Sequence, residues 1–473
     1  MSDESFDEDT IDRRDFFAGM VGGAASVLGA SMIGGKEAHA NWGLIAPGAM
    51  PGKEFDGRAL VNKQRAYEVM DREGVDGIVA LNPVNVFYLG NYFSYELQKL
   101  RAIPSFAVMP RDPKKPIILV VASSDLWFVA NAEREYPEII PYSAPSSWEN
   151  YRDPSIWNVE PEAVTGSRPY NKDTITEIER GWVEIDNRFK NSKAPTPEWA
   201  LIRALKESGL SKATIAVDDM RIAGILDTLD QNNISCVPGD NTFRKIRIIK
   251  SDVELSHMRN VAIANQDACL AMLSQIQIGM TKADIDNLFM VEAAKRGAKA
   301  MWIAAGTIGG LPDGKVVEGR PMMIDAVSQI NYYHGDFGRT WCVGEPRKDV
   351  LERVKILETG SDVAHDIIRP GMKYSELRAA VSKAIAKINT APTGAIIGAG
   401  PHSVGLQHTD QPYRDGLPFM VNDDLVFEEN MTLTIDMPSL EVGWGGAHLE
   451  NLIVLEKGGF QPLGEMSSPL VVV

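Results

Sequence analysis

The feature that most limits the fold is an echo in the helix punctuation of the second half of the chain. Ser251-Asp252-Val253-Glu254 is a capping box, Ser-x-x-Glu, and predicts a helix through His257 to about Gln275. The stretch Gly279 to Ile285 then breaks the pattern and predicts a shorter helix over Asp284–Lys295. About ninety residues on, the order returns. A helix over Asp349–Ile368 ends at Pro370-Gly371, and Met372 to Leu377 opens another. A glycine-rich stretch follows each pair. Recurrence of punctuation at matching places argues for two related halves.

Each half also carries two carboxylates on apolar, strand-like runs. In the first, Asp325 ends the run Met322–Ile324, and Asp336, eleven residues later, opens Phe337–Cys342. In the second, Asp436 ends Met431–Ile435 and Glu450 sits within His448–Leu455. A carboxylate beside a buried strand is costly unless a cation or a dense set of donors holds it. Taken alone, the first pair could be a turn rich in Asp and Gly with Asp336 as a local cap. Its recurrence favours a metal site. Between the pairs, Gly400-Pro401-His402-Ser403-Val404-Gly405-Leu406-Gln407-His408 supplies His402 as the natural nitrogen ligand. Four carboxylates and an imidazole suit one or two divalent ions such as Mn, Fe, Co or Zn. Without cations such a cluster would repel itself.

At 473 residues the chain has room for two domains or more. A formal charge of −16 argues against nucleic acid as a partner. Three widely spaced cysteines, Cys236, Cys269 and Cys342, fit neither a zinc knuckle nor a disulfide framework. Residues 1–40 have the form of an export signal. Arg13-Arg14-Asp15-Phe16-Phe17 precedes an apolar run from Ala18 to Gly35, and Ala38-His39-Ala40 predicts cleavage after Ala40. The paired arginines and glycine-rich core resemble a twin-arginine signal, which implies twin-arginine machinery as a partner and a periplasmic product. Six glycines and two serines within the run argue against a retained membrane span.

From Asn41 to Asp56 the chain reads as extended. A helix is predicted over Val61–Glu73, then strands at Gly77–Leu81, Val86–Leu89, Ser105–Met109 and Ile117–Val121. Ser147–Tyr170, with three prolines, reads as an irregular insertion. Helices at Pro197–Glu207 and Ile222–Leu229 alternate with strands at Thr214–Val217 and Ser235–Pro238. This alternation predicts an α/β domain, with a boundary near Ile246–Ser251. No histidine lies between Asn41 and Lys250, so the catalytic chemistry is expected downstream.

On these residues the segment Ser251–Glu456 resembles the pita-bread metallopeptidases, which include methionine aminopeptidase, Xaa-Pro dipeptidase and aminopeptidase P. Residues from about Leu60 to Arg247 resemble the N-terminal domain of the prolidase and creatinase branch. The implied fold is α/β (α+β): a creatinase/prolidase-like N-terminal domain over 57–247, then a pita-bread domain with a pseudo-twofold repeat over 251–473. The family's ligand order Asp, Asp, His, Glu, Glu maps onto Asp325, Asp336, His402, Asp436 and Glu450. Asp336-Phe337-Gly338-Arg339-Thr340 matches Asp-x-x-Arg-Thr and makes Arg339 a structural charge partner. Glu428-Glu429-Asn430-Met431 stands where Glu-Pro-Gly-Met is usual. A homodimer is expected.

Three departures bear on the reaction. Asp436 stands where the family has Glu, whose carboxylate helps as general base. His402 and His408 are six residues apart, where the peptidases have seven. The peptidases' accessory histidines are missing: Gly398 stands four residues before His402, and no histidine precedes Asp325 after His257. A branch of the fold that cleaves dimethylsulfoniopropionate as a lyase shares the shorter spacing, with Asp where His408 stands. The expected activity is metal-dependent hydrolysis of a peptide or small amide, Xaa-Pro peptides first, with His408 and Asp436 catalytic. The alternatives are a lyase and a metal-binding relative without turnover. His334 reads as an outer or surface residue, His257 and His365 as helix packing. His448, two residues before Glu450, can face the same side of its strand. Tyr332 and Tyr333 read as core or rim.

Overall fold

The computed structural model describes residues 56–94, 103–131, 134–143, 157–162, 165–396 and 398–473. The expected export signal, and part of the expected insertion at Ser147–Tyr170, lie outside the described residues. The N-terminal part is a mixed six-stranded sheet. Its strands are β1 (Gly77–Ala80), β2 (Phe106–Pro110), β3 (Ile118–Ala122), β4 (Glu138–Tyr142), β5 (Ala213–Val217) and β6 (Ile234–Pro238), in the order β4-β3-β2-β1-β5-β6. Strands β1, β2 and β3 are buried at every position, and so they read as plain apolar runs.

One expected strand is a helix. Val86–Leu89 lies within Pro83–Gly90, where Asn82 accepts from the Val84 N–H and Pro83 occupies the first turn. Asparagine as N-cap and proline behind it are helix starts. A four-residue apolar run buried all round has no period to separate helix from strand. A further helix, Asp240–Arg247, was not anticipated and runs up to the expected boundary.

The second sheet comprises β7 (Lys299–Gly306), β8 (Met322–Ile330), β9 (Tyr333–Cys342), β10 (Gly400–Ser403), β13 (Thr432–Glu441), β14 (Gly445–Glu456), β15 (Gly459–Pro462) and β16 (Leu470–Val472); a separate small hairpin holds β11 (Tyr413–Arg414) and β12 (Leu417–Val421). The main order is β10-β13-β14-β9-β8-β7. Exchanging β7, β8, β9 for β10, β13, β14 reverses that order into itself, which is the expected pseudo-twofold. The helix pairs Asp252–Leu273 with Lys282–Lys295, and Lys348–Ile367 with Tyr374–Ile385, precede the two strand sets as the punctuation predicts. Ser251 and Glu254 close the capping box in both directions, at 3.2 and 2.9 Å.

Asp325 and Asp436 do not end their strands; each lies inside one. A polar residue in an apolar run suggests a stop, but here it marks the face that carries the site. The register is set by the two-residue turn Asn331-Tyr332, both with positive φ (49° and 67°), the form that suits a right-twisted hairpin. Such a φ strains tyrosine, and packing holds it: the Tyr332 ring lies 4.5 Å from Phe93 and 5.6 Å from Phe87, centroid to centroid. In the second half Asn430 takes φ 65°, which asparagine tolerates where a larger side chain would not.

A buried ion cluster joins the N-terminal sheet's helices to the loop after β10. Arg247 Nη2 lies 2.5 Å from Asp410 Oδ1, and both side chains are almost fully buried. Arg247 also donates to Asn85 on the helix Pro83–Gly90. Asp410 Oδ2 accepts from the Leu406 N–H at 3.1 Å, while Lys250 Nζ stands 3.8 Å away. Arg247→Ala leaves the Asp410 charge without its main partner. It is expected to destabilise the protein by about 3–5 kcal/mol. Urea unfolding checks this, and a loss below about 1 kcal/mol would contradict it.

Candidate metal centre

Strand register alone brings the expected ligands to one face. Residues directly opposite each other in a ladder share a face, as do residues two apart on one strand. Asp325 on β8 and Glu450 on β14 both pair with Gly338 on β9, and Asp336 is two residues before Gly338. On the other side His402 of β10 pairs with Thr434 of β13, and Gly400 with Asp436. All five predicted ligands, Asp325, Asp336, His402, Asp436 and Glu450, therefore project from the same side of the sheet. His448, two before Glu450, joins them.

The side chains converge. His402 Nε2 lies 3.8 Å from both Asp336 Oδ2 and Glu450 Oε1. His448 Nε2 is 2.7 Å from Asp436 Oδ1 and 3.6 Å from Glu450 Oε2. His408 Nε2 is 3.1 Å from Asp336 Oδ2, and its ring meets Trp302 edge-on at 5.4 Å. Among the described residues, three overlapping groups have mutually close ligand atoms: Asp336, His402 and His408; Asp325, His448 and Glu450; His402, Asp436 and Glu450. Thr434 Oγ1 donates to Glu450 Oε1 at 2.9 Å, which orients that carboxylate.

These residues fit a divalent cation. Asp325 Oδ1 and Asp336 Oδ1 are buried with no hydrogen-bond partner among the described residues. A buried carboxylate oxygen without a donor is costly. The pKa directions tell the same story. Burial raises the Asp325 carboxyl to about 7, with His448 opposing and the charges of Asp336 and Asp436 adding to it. Burial and then the negative charges of Asp336, Asp436 and Asp325 push Glu450 well above the usual range. Burial would lower His408, but the hydrogen bond and charge of Asp336 outweigh it and leave the imidazole raised. Burial also opposes protonated His448, yet Asp436 and Asp325 raise it to about 9. These shifts mark a place where positive charge is favoured, and oxygen and nitrogen donors of this kind suit a divalent cation.

The remaining sequence candidates sort clearly. His334 is buried behind the loop after β10, with Nδ1 3.3 Å from the Gly405 carbonyl. His257 stacks on Tyr333 at 5.3 Å and His365 on Phe460 at 4.7 Å, both as packing residues. Tyr333 is buried core and Tyr332 holds the hairpin turn. Arg339 is structural but not an ion-pair partner: Nη1 donates to the carbonyls of Gly338 and Glu450 at 2.6 and 2.7 Å, and Nη2 to Asn451 Oδ1 at 2.7 Å. It ties β9 to β14 beneath the ligands. Trp302 left no mark in the sequence because it lies in the continuous apolar run 300–305, which does not show that this position of the edge strand β7 is exposed beside His408.

Residues 256–457, a little under half the chain and including every ligand-type residue above, match the model of metallopeptidase family M24. Among curated proteins, "Probable dipeptidase PepE" of Mycobacterium tuberculosis is 23% identical over 274 residues, 56% of this chain and 71% of that protein. The Xaa-Pro dipeptidase of Pyrococcus furiosus is 24% identical over 241 residues, 49% of this chain and 67% of its own length. Among solved structures, a dipeptidase from Pyrococcus horikoshii OT3 superposes with a TM-score of 0.61 at 17% identity, covering 87% of this chain and 99% of that one. An X-Pro aminopeptidase from Thermotoga maritima MSB8 gives 0.60 at 16%, covering 86% and 100%. The fold is that of the prolidase and aminopeptidase P structures, and the catalytic half is similar to the M24 metallopeptidases.

Proposed function

We propose that the protein is a metal-dependent peptidase, with Xaa-Pro dipeptides as its first substrate class. The observation that carries this is the single sheet face on which Asp325, Asp336, His402, Asp436 and Glu450 converge, with oxygens of Asp325 and Asp336 buried and unsatisfied. The names of the relatives support the substrate class. One or two ions of Mn, Fe, Co or Zn would be held by these five residues. When bound, such ions supply an acidified water and a Lewis acid for the scissile carbonyl. The chain's own residues do the rest. Asp436, about one-third exposed, would accept a proton at the cluster. His408, one-third exposed and shifted upward by Asp336, would be the proton donor to a leaving nitrogen.

Two further features belong to this reading. The paired arginines and Ala38-His39-Ala40 support export by the twin-arginine route with cleavage after Ala40. N-terminal sequencing of protein from the native periplasm tests it; an uncut Met1 in the membrane fraction would sink it. Among the described residues no helix is long and apolar enough to cross a membrane. A homodimer is proposed as well, and a monomer mass by light scattering would overturn that.

A lyase of the same fold is the second reading, favoured by the six-residue spacing of His402 and His408. The deciding experiment incubates metal-loaded protein with a panel of Xaa-Pro dipeptides and, separately, with dimethylsulfoniopropionate. Free proline is expected. Dimethyl sulfide without proline would replace the peptidase reading with the lyase. Bound metal with turnover of neither would leave a binding protein.

The site also predicts a pH dependence. Without an ion, burial raises the Asp325 carboxyl to about 7, and burial with the neighbouring carboxylates pushes Glu450 well above its usual range. Protons on these groups compete with an incoming cation more as pH falls. Apparent metal affinity is expected to weaken by about tenfold or more from pH 8 to pH 6, since one competing proton alone costs up to a factor of ten per pH unit below its pKa. Competition titration with a chromophoric chelator measures it, and a flat profile would contradict the assignment.

A further inference from the structure

His448 stands apart from the five expected ligands, yet its ring is held as firmly as any of them. The side chain is 1% exposed. Its backbone N–H donates to Thr340 Oγ1 at 3.0 Å, and Thr340 Oγ1 donates to the His448 carbonyl at 3.1 Å, which pins this point of β14 to β9. The ring nitrogen Nδ1 lies 3.1 Å from the Ile324 carbonyl oxygen. A carbonyl oxygen only accepts, so Nδ1 carries the hydrogen and donates it. The same bond fixes which nitrogen turns inward. Nε2 is left facing Asp436 Oδ1 at 2.7 Å and Glu450 Oε2 at 3.6 Å, with Asp325 completing the group.

A bare imidazole lone pair aimed at three carboxylates is repulsive. Something positive must lie between them, either a proton on Nε2 or a shared cation. The outer hydrogen bond to a backbone carbonyl is the arrangement that orients metal-ligating histidines elsewhere. Space has also been made for this ring. A Cβ at Gly338 would come within 2.3 Å of His448 Nδ1 and 2.4 Å of Cε1, so any other residue at 338 would push the ring away. Gly338 is the residue opposite both Asp325 and Glu450. Its missing side chain therefore opens a slot for an imidazole at the centre of the carboxylate row.

We propose that His448 ligates a metal ion through Nε2, beside Asp325, Asp436 and Glu450. This deepens the metal-site reading above and rests on it. The centre then has an imidazole on each side, His402 and His448, rather than on one alone. Two nitrogen donors among the carboxylates favour Zn, Co, Fe or Mn over Mg or Ca.

The test counts imidazoles on the ion. The full-length protein is loaded with Cu(II), and nitrogen couplings are read by electron spin-echo envelope modulation. The double variant His402→Gln/His408→Gln is expected to keep a one-imidazole pattern, and adding His448→Gln is expected to abolish it. His448→Gln alone should weaken Zn binding by about tenfold or more, in line with the effect of disturbing a metal's immediate surroundings. Gly338→Ala, which keeps His448 but fills its slot, should do the same. Should the multiple variants fail to fold, the wild-type spectrum itself decides: it must show at least two imidazoles and lose one in Gly338→Ala. A double variant that holds Cu(II) with no imidazole coupling, or a wild-type pattern unchanged by Gly338→Ala, overturns the role of His448 and leaves the five-ligand site standing. Wild-type protein that takes up no ion overturns both.

Discussion

Asp336→Ala is expected to strip the protein of its metal and of the stability the metal confers. Asp336 is 3% exposed, and its Oδ1 has no hydrogen-bond donor among the described residues. Its Oδ2 faces both His402 and His408. Disturbing partners outside a metal's own ligands already costs about 10–100-fold in affinity. Losing a ligand should cost at least about a hundredfold by that comparison. The effect on stability has a sign that depends on the ion. In wild-type protein at about a hundredfold excess of metal over Kd, binding adds about 2.7 kcal/mol to the folded state. That increment should vanish in the variant. Without metal the variant should be no less stable than wild type, because Asp336 is one of the charges that hold Glu450 and Asp325 protonated. Thermal unfolding with and without Mn or Zn, alongside elemental analysis after dialysis, gives both readings. Unchanged metal content, or an unchanged metal-induced rise in Tm, would rule out Asp336 as a ligand.

How far the sequence led can be judged from single residues. Ser251 and Glu254 announced their helix because a capping box is local chemistry, complete within four residues. The repeat was legible for the same reason. Asp325 and Asp436 were read as strand ends because a carboxylate in an apolar run looks like solvent. Their place inside β8 and β13 depends on a facing cluster that no local window contains. The helix Asp240–Arg247 hid in a polar stretch whose buried positions are an arginine pair, Arg244 and Arg247, as much as Phe243 and Ile246. Arg339 announced itself as structural but not its partners, since backbone carbonyls leave no mark in a sequence. His448 carried a weak signal, a spacing of two from Glu450. What the spacing could not tell is that Gly338, across the ladder, clears the room for its ring.

His408→Ala should lower kcat by about 10²–10⁴-fold on an Xaa-Pro dipeptide, the range of general acid–base contributions, while leaving metal content and KM nearly unchanged. The reason lies in where the ring stands. His408 is the most exposed histidine of the cluster, one-third open, on a loop fixed from behind by the Arg247–Asp410 pair. Its edge rests against Trp302, and its Nε2 reaches Asp336 from the solvent side. Burial works against its protonated form, but the hydrogen bond and charge of Asp336 outweigh burial and shift the imidazole upward. That upward shift suits it to donate a proton where a leaving group would need one. A ligand removed would take the metal with it; a proton carrier removed takes only the rate. Uniform binding would move KM instead. Single-turnover proline release, with metal content measured on the same sample, separates these cases. Loss of metal in proportion to loss of rate would make His408 a ligand and would end its assignment as the acid.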